Sequence, residues 1–141
     1  MQGWVLVLRG EVETGVRQAE GALETLRSPP SARFHLPIRI GIVGLAKAAA
    51  GDIDGALALF ESALEAASTT GERWYEPELF RLRAEMLLAQ PKQRASEAEQ
   101  CLQAAIAQTA GLRPRPTRNH SRYCQFASVF RRLTFFIHVV I

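Results

Sequence analysis

Residues 44–57 read Gly44-Leu45-Ala46-Lys47-Ala48-Ala49-Ala50-Gly51-Asp52-Ile53-Asp54-Gly55-Ala56-Leu57. Residues 3–16 read Gly3-Trp4-Val5-Leu6-Val7-Leu8-Arg9-Gly10-Glu11-Val12-Glu13-Thr14-Gly15-Val16 and align with them, without a gap, at an offset of 41 residues. Gly3 meets Gly44, Gly10 meets Gly51, Glu11-Val12-Glu13 meets Asp52-Ile53-Asp54, and further on Ala22-Leu23-Glu24 meets Ala63-Leu64-Glu65. A third copy is looser. Ala84 opens it, Ala98 and Ala105 fall 42 residues after Ala56 and Ala63, and Leu102 takes the place of Phe60. A repeat of this period is the mark of a solenoid, in which each unit covers the apolar face of its neighbour.

Working outward, each unit reads as a helix, a tight turn and a second helix. Ile53, Ala56, Leu57, Phe60, Ala63, Leu64 and Ala67 recur at i, i+3, i+4, i+7, which is one stripe of a 3.6-residue helix. Val12, Val16, Ala19, Leu23 and Leu26 repeat the stripe in the first unit, and Ala95, Ala98, Cys101, Leu102, Ala105 and Ile106 in the third. Gly51 stands where a helix ends in a left-handed residue, and the Asp52 carboxylate is placed to accept from the free N–H groups of the next helix. Gly10-Glu11 copies this turn with a poorer cap. In the third unit Gln90-Pro91-Lys92 provides the stop, and Ser96 with Glu97 the next start. Composition agrees, since Ala and Leu dominate the apolar set and lose little rotamer freedom in a helix. Gly44, Ala56 and Ala63 are small where paired helices must approach, and larger side chains there would cost about 1–3 kcal/mol in overpacking. The alternative reading of Gly41-Ile42-Val43-Gly44 as an RNA-clamping loop lacks any basic residue between the glycines.

Gly44, Ala56, Phe60 and Ala63 resemble the core signature of the tetratricopeptide repeat (TPR). Lys47 stands where that repeat usually has an aromatic, and Ile40 where Trp is common. The period also exceeds the usual one, the surplus falling in the connections Ser28–Pro37 and Ser68–Glu76. Thr70-Gly71-Glu72-Arg73-Trp74-Tyr75-Glu76-Pro77-Glu78-Leu79-Phe80-Arg81-Leu82-Arg83-Ala84-Glu85-Met86-Leu87-Leu88-Ala89 is similar to the TPR region that follows the ATPase domain in bacterial adenylate cyclases and LuxR-type regulators. The resemblance covers residues 1–110. It implies an all-α fold of antiparallel hairpins stacked as a short right-handed solenoid: about three hairpins, the first incomplete because its leading helix starts near Gln2. It also implies a cytoplasmic, non-enzymatic scaffold for signal transduction. Its partner would be a protein, a peptide or the neighbouring domains of a larger parent.

Charge divides the chain at the same place. Residues 1–110 carry eleven basic and fourteen acidic side chains, whereas residues 111–141 carry six arginines and no acid. The tail, 111–141, is Pro- and Arg-rich and then apolar, and is expected to be irregular. Its abrupt composition suggests a truncated or frame-shifted product. Nucleic-acid binding through these arginines is the alternative function, and it is a property of the tail alone. Phe135–Ile141 and Trp4–Leu8 are too short to span a bilayer. Self-association through uncapped repeat ends is also expected.

No phosphate-binding loop, HExxH, GxSxG or CxxC occurs, so neither a catalytic residue nor a cofactor or metal ligand is assigned. His35, His120 and His138 lie far apart and read as surface or tail residues. Cys101 falls on an apolar stripe and reads as a small buried hydrophobe. Glu78, Arg81 and Glu85 share one helical face at i, i+3, i+7. In a TPR stack the first helix of each hairpin lines the groove, so these residues and Trp74 are the candidate partner contacts. Simple intrahelical ion pairing and packing of Trp74 on the preceding hairpin are the competing readings. The expected structural core of the repeats is Gly44, Ala56, Phe60, Ala63, Ala84, Ala98, Leu102 and Ala105.

Overall fold

The computed structural model describes residues 2–27, 35–90 and 94–111, and among them regular structure is entirely helical. In chain order the helices are α1 (Gln2–Leu8), α2 (Val12–Arg27), α3 (Leu36–Ala49), α4 (Ile53–Thr70), α5 (Glu76–Ala89) and α6 (Ala95–Gly111). A single 3₁₀ turn, Arg73–Tyr75, precedes α5. The protein is all-α over these residues. The tail from 112 on, with its arginines, His120, Cys124 and His138, lies outside the described residues, as does most of the Ser28–Pro37 connection.

The turns form for the reasons legible in the chain. Gly10 and Gly51 take φ of 88° and 83°, a region that L side chains rarely enter. Asp52 Oδ1 accepts from the Gly55 N–H at 2.9 Å, capping α4. This bond, followed by the Lys47 ammonium, holds the Asp52 carboxyl below its ordinary range. Lys47 Nζ also reaches Glu20 on α2 at 2.9 Å, so the cation standing at a usual aromatic place ties two helices to one turn. The Ser68–Glu76 connection is shorter than expected. α4 continues to Thr70, where the Thr69 and Thr70 hydroxyls donate back to the Glu65 and Ala66 carbonyls, and Gly71 at φ 74° ends it. α6 likewise begins at Ala95, one residue before Ser96. Its first turn is held by Arg94, whose Nε donates to Glu97 at 2.6 Å.

Each helix packs on the next along the chain, most extensively α1 on α2, α3 on α4 and α5 on α6. Neighbours run in opposite directions: Gly3 lies beside Ala19 and Val7 beside Gly15, while Asp54 meets Gln90 and Glu61 meets Arg83. The main core gathers residues from α1 through α5, with Ile40, Leu45, Phe60, Leu79 and Leu82 fully enclosed. A second, smaller cluster of Ala84, Leu87, Ala98 and Cys101 joins α5 to α6, and half-buried Leu57 packs against both.

The repeat predicts where helices touch. A Cβ on Gly44 would lie 2.8 Å from the Phe60 ring, so the missing side chain is the seat of the phenyl group. Ala19 stands 41 residues before Phe60, and there the helices close further, until a Cβ on Gly3 would strike the Gly15 carbonyl at 2.6 Å. Gly41 and Gly44 are buried within α3, so they form no loop. Leu102 departs from its expected core place and is 41% exposed; Cys101, 7% exposed, takes the inward position beside Ala84. Ala84 has a Cβ where Gly44 has none, which leaves room for a thiol and not for an isobutyl group. The apolar stripe of α6 is correspondingly narrow, with Ala95 and Ile106 exposed and Ala105 half-buried.

Candidate interaction surface

The candidate contacts all belong to α5 and the turn before it. Pro77 sits in the first turn, where a missing N–H costs nothing, and Glu76 and Glu78 meet the positive end of the helix dipole. Glu76 is buried and accepts from Arg73 Nε at 2.9 Å. Leu79, Leu82 and Met86 enter the main core, and Ala84 and Leu87 enter the smaller cluster. What remains is one arc: Glu78, Arg81, Glu85 and, seven residues past Arg81, Leu88.

Arg81 is fully engaged on that arc. Its Nε and Nη2 donate to the two oxygens of Glu78 at 2.9 and 2.7 Å, a bidentate pair, and Nη1 donates to Glu85. The Glu78 bonds, ahead of the Glu85 charge, raise the guanidinium above its ordinary value. The three side chains are one-quarter to one-third exposed, so each pair contributes only about 0.3–0.5 kcal/mol. Their combined charge is −1, beside a Leu88 that is 46% exposed. Leu88 was not singled out from the sequence, although it continues the 78, 81, 85 spacing.

Trp74 is half-buried against the main core. Its ring meets His35 edge-on at 6.1 Å and tilts against Tyr75 at 5.6 Å. Packing therefore takes most of its indole, and it walls the arc more than it offers a contact. Burial pushes the Tyr75 phenol well above its ordinary value. His35 is not a plain surface residue either. It stands at φ 62° ahead of α3, and its backbone N–H reaches both Glu72 carboxylate oxygens at 3.0 Å, joining the start of α3 to the end of the α4 turn.

The groove expected along every first helix is confined to α5. On α3, Ile38, Gly41, Leu45 and Ala48 have the spacing of Glu78, Arg81, Glu85 and Leu88, yet all four are buried, Gly41 beneath Leu79 and Tyr75. A shallow cleft of about 340 Å³ lies among α4, α5 and the start of α6. Its charges are paired already: Arg83 with Glu61 at 3.3 Å, Asp54 with Gln90 at 2.7 Å, and Arg94 with Glu97.

Of the expected repeat core, Gly44, Ala56, Phe60, Ala63, Ala84 and Ala98 are buried together in their pairs. Cys101 is the small buried hydrophobe its register implied, with burial raising its thiol above the ordinary range. Among the described residues no cluster of His, Cys, Asp or Glu could hold a metal ion, and no helix is long and apolar enough to cross a membrane. Compared with family models, with curated proteins and with solved structures, the chain matches none.

Proposed function

We propose that residues 2–111 act as a protein-interaction scaffold of the TPR kind, three hairpins stacked as a short right-handed solenoid, with no catalytic role. The observation that carries this reading is the seating of the Phe60 ring on Gly44, because those two residues, with Ala56 and Ala63, bear the repeat signature and meet in the core. Helices that pack in chain order support it. The docking surface is the Glu78–Arg81–Glu85–Leu88 arc of α5. Its net negative charge and exposed leucine suit a peptide, or a neighbouring domain of a parent regulatory protein, that offers a basic and an apolar side chain.

A peptide-array screen with the full chain tests this. Binders should carry basic and apolar residues, and Glu85→Lys and Leu88→Glu should each weaken them about tenfold without changing helical circular dichroism. A folded chain with no binder, or binders indifferent to both substitutions, would overturn the assignment.

A further inference from the structure

We infer that the protein assembles head to tail, the outer face of α6 in one copy receiving α1 of the next. This rests on the hairpin-repeat reading. Inside the molecule, the second helix of one hairpin packs on the first helix of the following one at two junctions, α2 on α3 and α4 on α5. Among the described residues α6 is a second helix with no follower, and α1 a first helix with no predecessor.

The side chains show the same vacancy at both ends. Leu102 and Ile106 are 41% and 70% exposed, whereas Phe60 and Leu64, 42 residues earlier, are enclosed and half-buried. Val5 is 46% exposed, whereas Ala46, 41 residues later, and Met86, 40 beyond that, are buried. The two bare patches are thus the two halves of a junction the chain already builds twice. Charge agrees with the fit. Across α4 and α5, Gln90 reaches Asp54 at 2.7 Å, and in the same register Arg9 is the counterpart of Gln90. An incoming α1 would bring Arg9 to the first turns of α6, which carry Glu97 and Glu99. A contact between two different faces does not close on itself, so the product is an open chain of copies and not a symmetric dimer.

Light scattering of the full-length protein over a concentration series tests this. The weight-average mass should climb past two chains without a plateau. Val5→Glu and Ile106→Glu alter exposed positions, so each should keep helical circular dichroism and fall to the mass of one chain. Mixed in equal amounts they should recover a two-chain species, because each retains the face the other lost. A helical wild-type protein that stays at one chain, for instance with its own C-terminal residues over α6, would overturn the assembly alone. Self-pairing of Val5→Glu would overturn it too, by assigning α6 faces to one another. A wild-type chain without helical circular dichroism would instead defeat the hairpin reading beneath it.

Discussion

Replacing Gly44 by alanine sets two known effects against each other. Inside a helix the change ordinarily stabilises by about 0.5–1 kcal/mol, since glycine loses more backbone freedom on folding. At this position the new Cβ would sit 2.8, 3.1 and 3.3 Å from three atoms of the Phe60 ring. Carbons attract at roughly 3.5–4 Å, so all three contacts are repulsive. The ring is fully enclosed and cannot swing into solvent. Overpacking of this kind costs about 1–3 kcal/mol, which outweighs the helical gain and leaves a net loss of about 0.5–2 kcal/mol. Gly21 provides the control: it is an exposed residue of α2 with nothing within 4 Å of a new Cβ, so Gly21→Ala should stabilise. Thermal unfolding followed by circular dichroism should place Gly44→Ala below wild type and Gly21→Ala above it, at about 4–8 °C per kcal/mol for a body of this size. Adding Phe60→Leu to Gly44→Ala should cost less than Phe60→Leu alone, since the two residues touch. If Gly44→Ala matched Gly21→Ala in stability, the close approach of α3 and α4 would be refuted.

Two further outcomes follow from the turn and the thiol. Asp52→Ala should destabilise by about 1 kcal/mol at neutral pH through loss of the cap. Because the folded carboxyl titrates below its unfolded value, that contribution is complete above the unfolded value and fades as pH falls through the folded one. Urea unfolding of both proteins across the acid range should therefore converge, and a constant gap would deny the cap. In a Cys124→Ser background, Cys101 should react slowly with a thiol reagent in the native protein and rapidly in denaturant, because burial both shields it and disfavours its thiolate. Equal rates would place it on the surface.

The features read correctly from the chain are those with a local or periodic cause. Gly51-Asp52 needs only neighbouring backbone to become a turn and a cap, and the α4 stripe needs only helical geometry. Gly44 and Phe60 were paired by repeat register, which carries contact information across sixteen residues. The failures are contacts that leave no periodic trace. Whether Leu102 or Cys101 faces Ala84 depends on the roll of α6 about its axis, and both lie on a stripe broad enough to allow either. The Lys47–Glu20 link and the grip of Glu72 on the His35 amide join distant segments through single charges. The candidate arc was legible as Glu78, Arg81 and Glu85. Leu88 escaped because an apolar residue on a helix reads first as core, and the burial of the matching α3 positions could be known only once Tyr75 and Leu79 were placed over Gly41.

The inequality of the two apolar clusters fixes an order of events. Four buried residues fasten α6, whereas sixteen form the body of α1 through α5. Detaching the last helix exposes far less hydrocarbon than melting the rest, so it is the low-free-energy opening of the molecule. Amide protons of α6 should exchange through that partial excursion, ahead of those in α3 and α4, which await global collapse of the fold.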